Sequence, residues 1–291
     1  MKTALAPGIA LMSSLCFGIA MITSRVGLRS LDARSGAAIS IPTATLLFII
    51  AAPFILDTSG FTMHAALVFA AIGIFFPAVV TMFTFRSNEL LGPTVTSAVS
   101  GTAPLFALLA AGIFLQERVP PQAALSALGV VAGVVMLTWK RNAVRSDFAA
   151  SSLSWAVAGA VMRGLAQAAV KAGLLLWPSA FAAGLIGYVM SSATVLGADR
   201  LRKGKRPILN RKGLAWFAVT GVLNGSAVLL MYVALSMAPV WKVAPIIASY
   251  PLITAIIGAA VLHDEKLSLR TAAGACLTVA AIVYLVLSKA H

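Results

Sequence analysis

Apolar windows of about twenty residues follow one another along the whole chain, separated by short clusters of charge, proline and small polar residues. Cutting at those clusters predicts ten helical spans, near 3–27, 35–56, 62–84, 91–115, 121–139, 150–172, 176–198, 212–235, 239–262 and 268–288. Each is long enough for a helix to cross a hydrocarbon core. Strand-length segments alternating apolar and polar are missing. Backbone polar groups in lipid must then be satisfied inside helices, not in a barrel.

The polar landmarks recur. Gly18 and Arg25 in "FGIAMITSR" match Gly164 and Lys171 in "RGLAQAAVK", and Gly27-Leu28 matches Gly173-Leu174. Pro93 and Pro104 correspond to Pro239 and Pro251, and the turn "LQERV" with Glu117 corresponds to "LHDEKL" with Glu265. The offsets stay between 146 and 148, which divides the chain into halves of five spans, 1–145 and 146–291. An odd number of crossings puts the second half upside down relative to the first. The expected fold is therefore all-α: ten transmembrane helices as two inverted five-helix repeats around a central cavity.

Composition agrees with a bilayer environment: 60% hydrophobic, 10% charged, mean hydropathy +0.97. The first span continues past any small-residue cleavage site and has an internal copy, so it reads as a retained helix, not a signal peptide. A net charge of +14 raises the question of nucleic acid, but the bases sit between apolar runs, where membrane topology accounts for them. Sixteen of the 22 basic residues fall at the loops joining spans 1–2, 3–4, 5–6, 7–8 and 9–10. The positive-inside rule puts those loops in the cytoplasm and both termini in the periplasm. Cys16 and Cys276 lie inside apolar spans and suggest no disulfide framework.

All eight acids, Asp32, Asp57, Glu89, Glu117, Asp147, Asp199, Asp264 and Glu265, fall in loops or at helix ends. A proton-coupled cation pump relies on a membrane-buried carboxylate, so the expectation is a facilitator whose substrate is not primarily a cation. Arg163, by contrast, lies in mid-span with Gln167 and Lys171 on the same helical face. A charge there faces a cavity or a partner. One reading makes Arg163 an anchor for a substrate carboxylate with Gln167 adding hydrogen bonds; the other ties it to backbone carbonyls. Lys171 and Arg25 are expected to snorkel to the interface. Pro104 and Pro251 interrupt equivalent helices and are candidate gating hinges. Ser14, Phe17, Thr81, Phe85, Asn224, Tyr232 and Tyr250 are further candidates for the lining. Trp155, Trp177, Trp216 and Trp241 read as interfacial anchors, and Gly129 and Gly133 as a helix-packing pair. His64, His263 and His291 carry no metal-ligand spacing, and no nucleophile–base pairing or phosphate-cradling loop is present. Neither cofactor nor enzymatic activity is expected, although a membrane-embedded enzyme or scaffold subunit stays open as an alternative.

Two five-helix halves, each with a proline inside its fourth helix and a Leu…Glu turn closing it, resemble the EamA family, the ten-helix branch of the drug/metabolite transporter superfamily. Within it the chain is most similar to bacterial exporters of aromatic amino acids. Ser126 departs from the family pattern where the second half has Gly274, and one extra residue separates Leu262 from Glu265. The resemblance implies a multi-pass inner-membrane protein with a small-molecule partner, moving neutral or aromatic amino acids by alternating access. Helices 1, 3, 4, 6, 8 and 9 would line the cavity, and 2, 5, 7 and 10 would support it. An organic-anion or sugar-phosphate carrier, with Arg163 joined by Lys171 or Lys242, is the other reading. The sequence leaves oligomeric state open.

Overall fold

A computed structural model of the protein describes residues 2–138, 150–201, 210–261 and 269–288. Among them every element is helical: α1 (Lys2–Gly27), α2 (Ala33–Ile55), α3 (Met63–Phe75), α4 (Ala78–Ser100), α5 (Ala103–Phe114), α6 (Pro121–Thr138), α7 (Ala150–Leu176), α8 (Ala180–Arg200), α9 (Arg211–Met237), α10 (Val240–Ile247), α11 (Tyr250–Val261) and α12 (Leu269–Leu287). The excess over ten spans comes from breaks. The third span divides at Phe76-Pro77, the fourth at Gly101-Thr102 and the ninth at Ala248-Ser249. Gly92, with φ of +80°, turns the chain between the third and fourth spans inside α4. Eight apolar stretches reach 20 residues or more; the other two, Pro121–Met136 and Ala273–Leu287, are shorter.

The two-fold repeat is built from local signals that recur at the same offset. Asp32 caps α2 through the Ser35 N–H at 2.9 Å, and its counterpart Ser179 caps α8 through the Ala182 N–H at 3.3 Å. Thr62 caps α3 and Asn210 caps α9 in the same way. Packing repeats as well: α1 lies along α9 as α7 lies along α3 and α4, while α2 meets α8 and α6 meets α12. Thr45 and Ser192, 147 positions apart, hydrogen bond at 2.7 Å where α2 and α8 cross. A Cβ at Gly18 would come within 3.0 Å of the Tyr250 carbonyl and 2.6 Å of Ile253; one at Gly164 would meet the Ala103 carbonyl at 2.7 Å and Phe106 at 2.6 Å. These are the same contact in the two halves, and only glycine admits it. Gly133 likewise lets the backbone at Gly274 and Thr278 approach, so the predicted glycine pair does pack helices.

The two conserved-position prolines in the repeat sit differently from the expected mid-helix kink. Each helix ends first, at Gly101-Thr102 and at Ala248-Ser249, and Pro104 and Pro251 then occupy the second residue of a new helix, α5 and α11. There a missing N–H costs nothing. The Thr102 hydroxyl donates to the Val99 carbonyl and the Ser249 hydroxyl to the Ile246 carbonyl, both at 2.7 Å, so the break is satisfied twice in the same manner. Of the tryptophans, Trp155 and Trp216 are exposed, but Trp177 is only 3% exposed. It departs from the interfacial expectation because its indole N–H donates to the Ser59 carbonyl and its ring packs on Phe61 and Phe69.

Candidate functional site

A small cavity, open at one mouth, lies where the two halves meet. Helix α1 contributes Phe17, Ala20, Met21 and Ser24; the Phe76-Pro77 break and α4 contribute Phe76, Pro77, Thr81, Thr84 and Phe85. The second half adds Arg163 from α7, Tyr188 from α8, Asn224 and Val228 from α9, and Tyr250 from α11. Tyr188 belongs to the seventh span, expected only to support the wall. Its ring stacks on Phe48 of α2 at 5.2 Å, which holds it upright toward the centre. The fourth span, expected to line the cavity, supplies none of these residues; its α5 packs against α7, with the Ala103 carbonyl and Phe106 on Gly164.

Arg163 is 8% exposed, and its guanidinium carbon stands 5.2 Å from the ring centroid of Phe17 and 5.9 Å from that of Phe76. Rings at that range stabilise a cation through their quadrupoles. No hydrogen bond or ion pair to the guanidinium occurs among the described residues, and its Nε is buried without a partner. The reading that ties Arg163 to backbone carbonyls therefore has no counterpart in the geometry. What remains is a cation in an aromatic clasp, at the edge of a cavity, with its donors uncommitted. The described acids, Asp32, Asp57, Glu89, Glu117 and Asp199, do not line it.

The two bases nearest in sequence behave otherwise. Lys171 Nζ donates to the Leu235 carbonyl at 2.7 Å and the Ala238 carbonyl at 3.1 Å. Arg25 Nη1 donates to the Asn88 carbonyl at 2.9 Å and the Glu89 carbonyl at 3.4 Å. Asn88 and Leu235 are again 147 apart, so each half uses the base of its first helix to cap the end of its third. Both side chains thus fold inward onto helix C-termini, where cations are favoured, in place of the expected snorkelling. Near Lys171, the Glu117 carboxylate accepts the Val240 N–H at 3.0 Å and covers the start of α10. The lining residues of α1 and α4 all lie toward the Arg25 end of those helices, and at the Lys171 end Glu117 ties the start of α10 to the turn after α5.

Of the residues singled out from the sequence, Arg163, Phe17, Thr81, Phe85, Asn224 and Tyr250 meet in the cavity. Ser14 does not: its hydroxyl pairs with that of Ser249 at 3.0 Å, in the layer between α1 and the α10–α11 break. Gln167 and Tyr232 are each 2% exposed and lie outside the lining, with the Gln167 amide oxygen lacking any partner among the described residues. Met21, Ser24, Phe76, Thr84 and Tyr188 are lining residues the sequence did not single out. Ser24 alone carried a usable signal, a hydroxyl one residue from Arg25; its Oγ donates to the Met21 carbonyl and accepts from the Asn88 amide. Of the repeat landmarks, Glu265 lies outside the described residues.

Comparison with known proteins gives three findings. The family described as EamA-like transporter family matches twice, over residues 5–139 and 148–287. No curated protein matches. A solved crystal structure superimposes with a TM-score of 0.75, covering 97% of this chain and 95% of its own, at 17% identity. At that identity the likeness is one of fold.

Proposed function

The chain belongs to the EamA-like transporter family, and from that premise we propose that it carries small amphiphilic carboxylates, neutral and aromatic amino acids foremost, by alternating access and as a facilitator. The observation that carries this reading is the uncommitted guanidinium of Arg163 between Phe17 and Phe76. A planar fork of donors suits a carboxylate. Tyr188, Tyr250 and Phe85 offer faces to an apolar or aromatic side chain, and Thr81, Asn224 and Ser24 offer hydrogen bonds to an amine. A cavity without a lining carboxylate supports movement down a gradient over proton exchange. Loop charge supports a plasma-membrane location with the Arg25 end toward the cytoplasm and both termini outside.

A phosphate carrier would want at least two bases on one ligand. Here Lys171 is engaged with backbone carbonyls and Lys242 is not in the lining, which leaves Arg163 alone. That favours the carboxylate. Uptake of labelled phenylalanine, threonine and a sugar phosphate into liposomes carrying the purified protein tests both readings, with and without a pH gradient. Amino-acid uptake that persists without the gradient and is lost in Arg163→Ala is the expected result. Uptake that collapses with the gradient overturns the facilitator, and sugar-phosphate uptake alone overturns the substrate.

A further inference from the structure

We propose that Gln167 and Tyr232 line a second vestibule, opening on the Lys171 side, in which they take the places that Met21 and Phe85 hold in the cavity described above. The inference rests on the transporter reading but not on the identity of the solute. Its register is fixed by contacts that recur in both halves: Gly18 and Gly164 on the α11 and α5 backbones, Arg25 and Lys171 on the Asn88 and Leu235 carbonyls. Under that register Met21 corresponds to Gln167 and Phe85 to Tyr232, while Phe17 corresponds to Arg163.

The last pair is in contact with itself across the repeat, so exchanging the roles of the two halves leaves Phe17 and Arg163 facing each other at the centre. They belong to both states. Met21 and Gln167 do not share that property. One lines the present cavity, and the other is 2% exposed with its amide oxygen unsatisfied among the described residues. An unmet buried acceptor is destabilising, and a methionine at the same place, as in the first half, would avoid it. An amide there has a use only if another conformation brings it water or solute. The two vestibules then differ in chemistry: a thioether and a phenyl ring on the Arg25 side, an amide and a phenol on the Lys171 side. Opening the second requires release of the Val240 N–H held by Glu117.

Single cysteines test this in a Cys16→Ala, Cys276→Ala background, in sealed membrane vesicles of both orientations treated with a membrane-impermeant maleimide. Met21→Cys and Gln167→Cys are expected to label from opposite faces. Adding Glu117→Ala is expected to raise the Gln167→Cys rate about tenfold and lower that of Met21→Cys, since a hydrogen bond to a charged acceptor holds the closed end. Tyr232→Cys gives the same readout from a second helix should the Gln167 variant not assemble. Labelling of Gln167→Cys and Tyr232→Cys from the Met21→Cys face, or of both from neither face, overturns the proposal. Because labelling needs no solute, failure of amino-acid uptake leaves this result standing, and the reverse also holds.

Discussion

The guanidinium of Arg163 stands 5.2 Å from the ring of Phe17, the residue at its own position in the other repeat. At the centre of a two-fold arrangement the two halves thus contribute unlike groups, a cation and the π face that steadies it. A membrane-buried charge normally requires a counter-charge or a set of carbonyls. Two aromatic rings supply part of that stabilisation without consuming the N–H donors, which leaves the donors for a ligand.

Arg163→Ala is expected to weaken solute binding by roughly 10- to 100-fold, the range for losing charged hydrogen bonds worth about 1.5–3 kcal/mol. Arg163→Lys should recover only part, because an ammonium lacks the planar fork. Titration calorimetry of the purified protein with phenylalanine measures both. Unchanged affinity in Arg163→Ala would remove Arg163 from the site.

Phe17→Leu keeps apolar bulk and removes one face of the clasp. The expected loss is about 0.5–2 kcal/mol of cation stabilisation, seen as a lower thermal midpoint without solute and a smaller gap when solute is present. A midpoint unaffected by the change would mean that Phe76 alone holds the guanidinium.

Affinity should be flat between about pH 6 and pH 8. Among the described residues the cavity lining contains no His or Cys and no carboxylate or lysine, so it presents no side chain whose ordinary pKa lies near that window and none whose pKa burial could bring into it from the acid side. Binding measured at three pH values decides it; a tenfold change would point to a titrating group outside the described lining.

Gly133→Ala is expected to destabilise the α6–α12 pair by about 1–3 kcal/mol. The new Cβ would come to 2.8 Å from the Gly274 carbonyl and the Thr278 nitrogen, both backbone atoms that cannot turn aside. Gly8→Ala meets nothing within 4 Å and is expected to be neutral or stabilising by up to about 1 kcal/mol, from helix propensity. Unfolding of the two variants in the same lipid–detergent mixture gives the comparison.

The Thr45–Ser192 hydrogen bond should show a coupling of about 0.6 kcal/mol in a Thr45→Val, Ser192→Ala double-mutant cycle, the size usual between membrane helices. Zero coupling would mean that the Tyr188 and Ile41 carbonyls, which the Thr45 hydroxyl also reaches at 2.9 and 3.0 Å, satisfy it without Ser192.

The sequence by itself determined what depends on local pattern. Hydrophobic length defined the spans, clusters of charge, proline and small polar residues marked their ends, and glycine and proline landmarks exposed the repeat. Arg163 was legible because a charge in an apolar run is expensive, whatever surrounds it. Tertiary structure decided everything that depends on which faces meet. Tyr188 reaches the centre because Phe48 of another helix props it, and Trp177 is covered because Phe61, Phe69 and the Ser59 carbonyl receive it. Lys171 and Arg25 turn inward because the end of α9 and the stretch of α4 before the Gly92 turn offer carbonyls within reach. Ser14 spends its hydroxyl on Ser249, while Gln167, one turn from Arg163 on the same face, is left buried with an amide oxygen that has no partner among the described residues. Helical periodicity places these residues on a face; only the packing of the halves says whether that face meets a cavity, a backbone or another side chain.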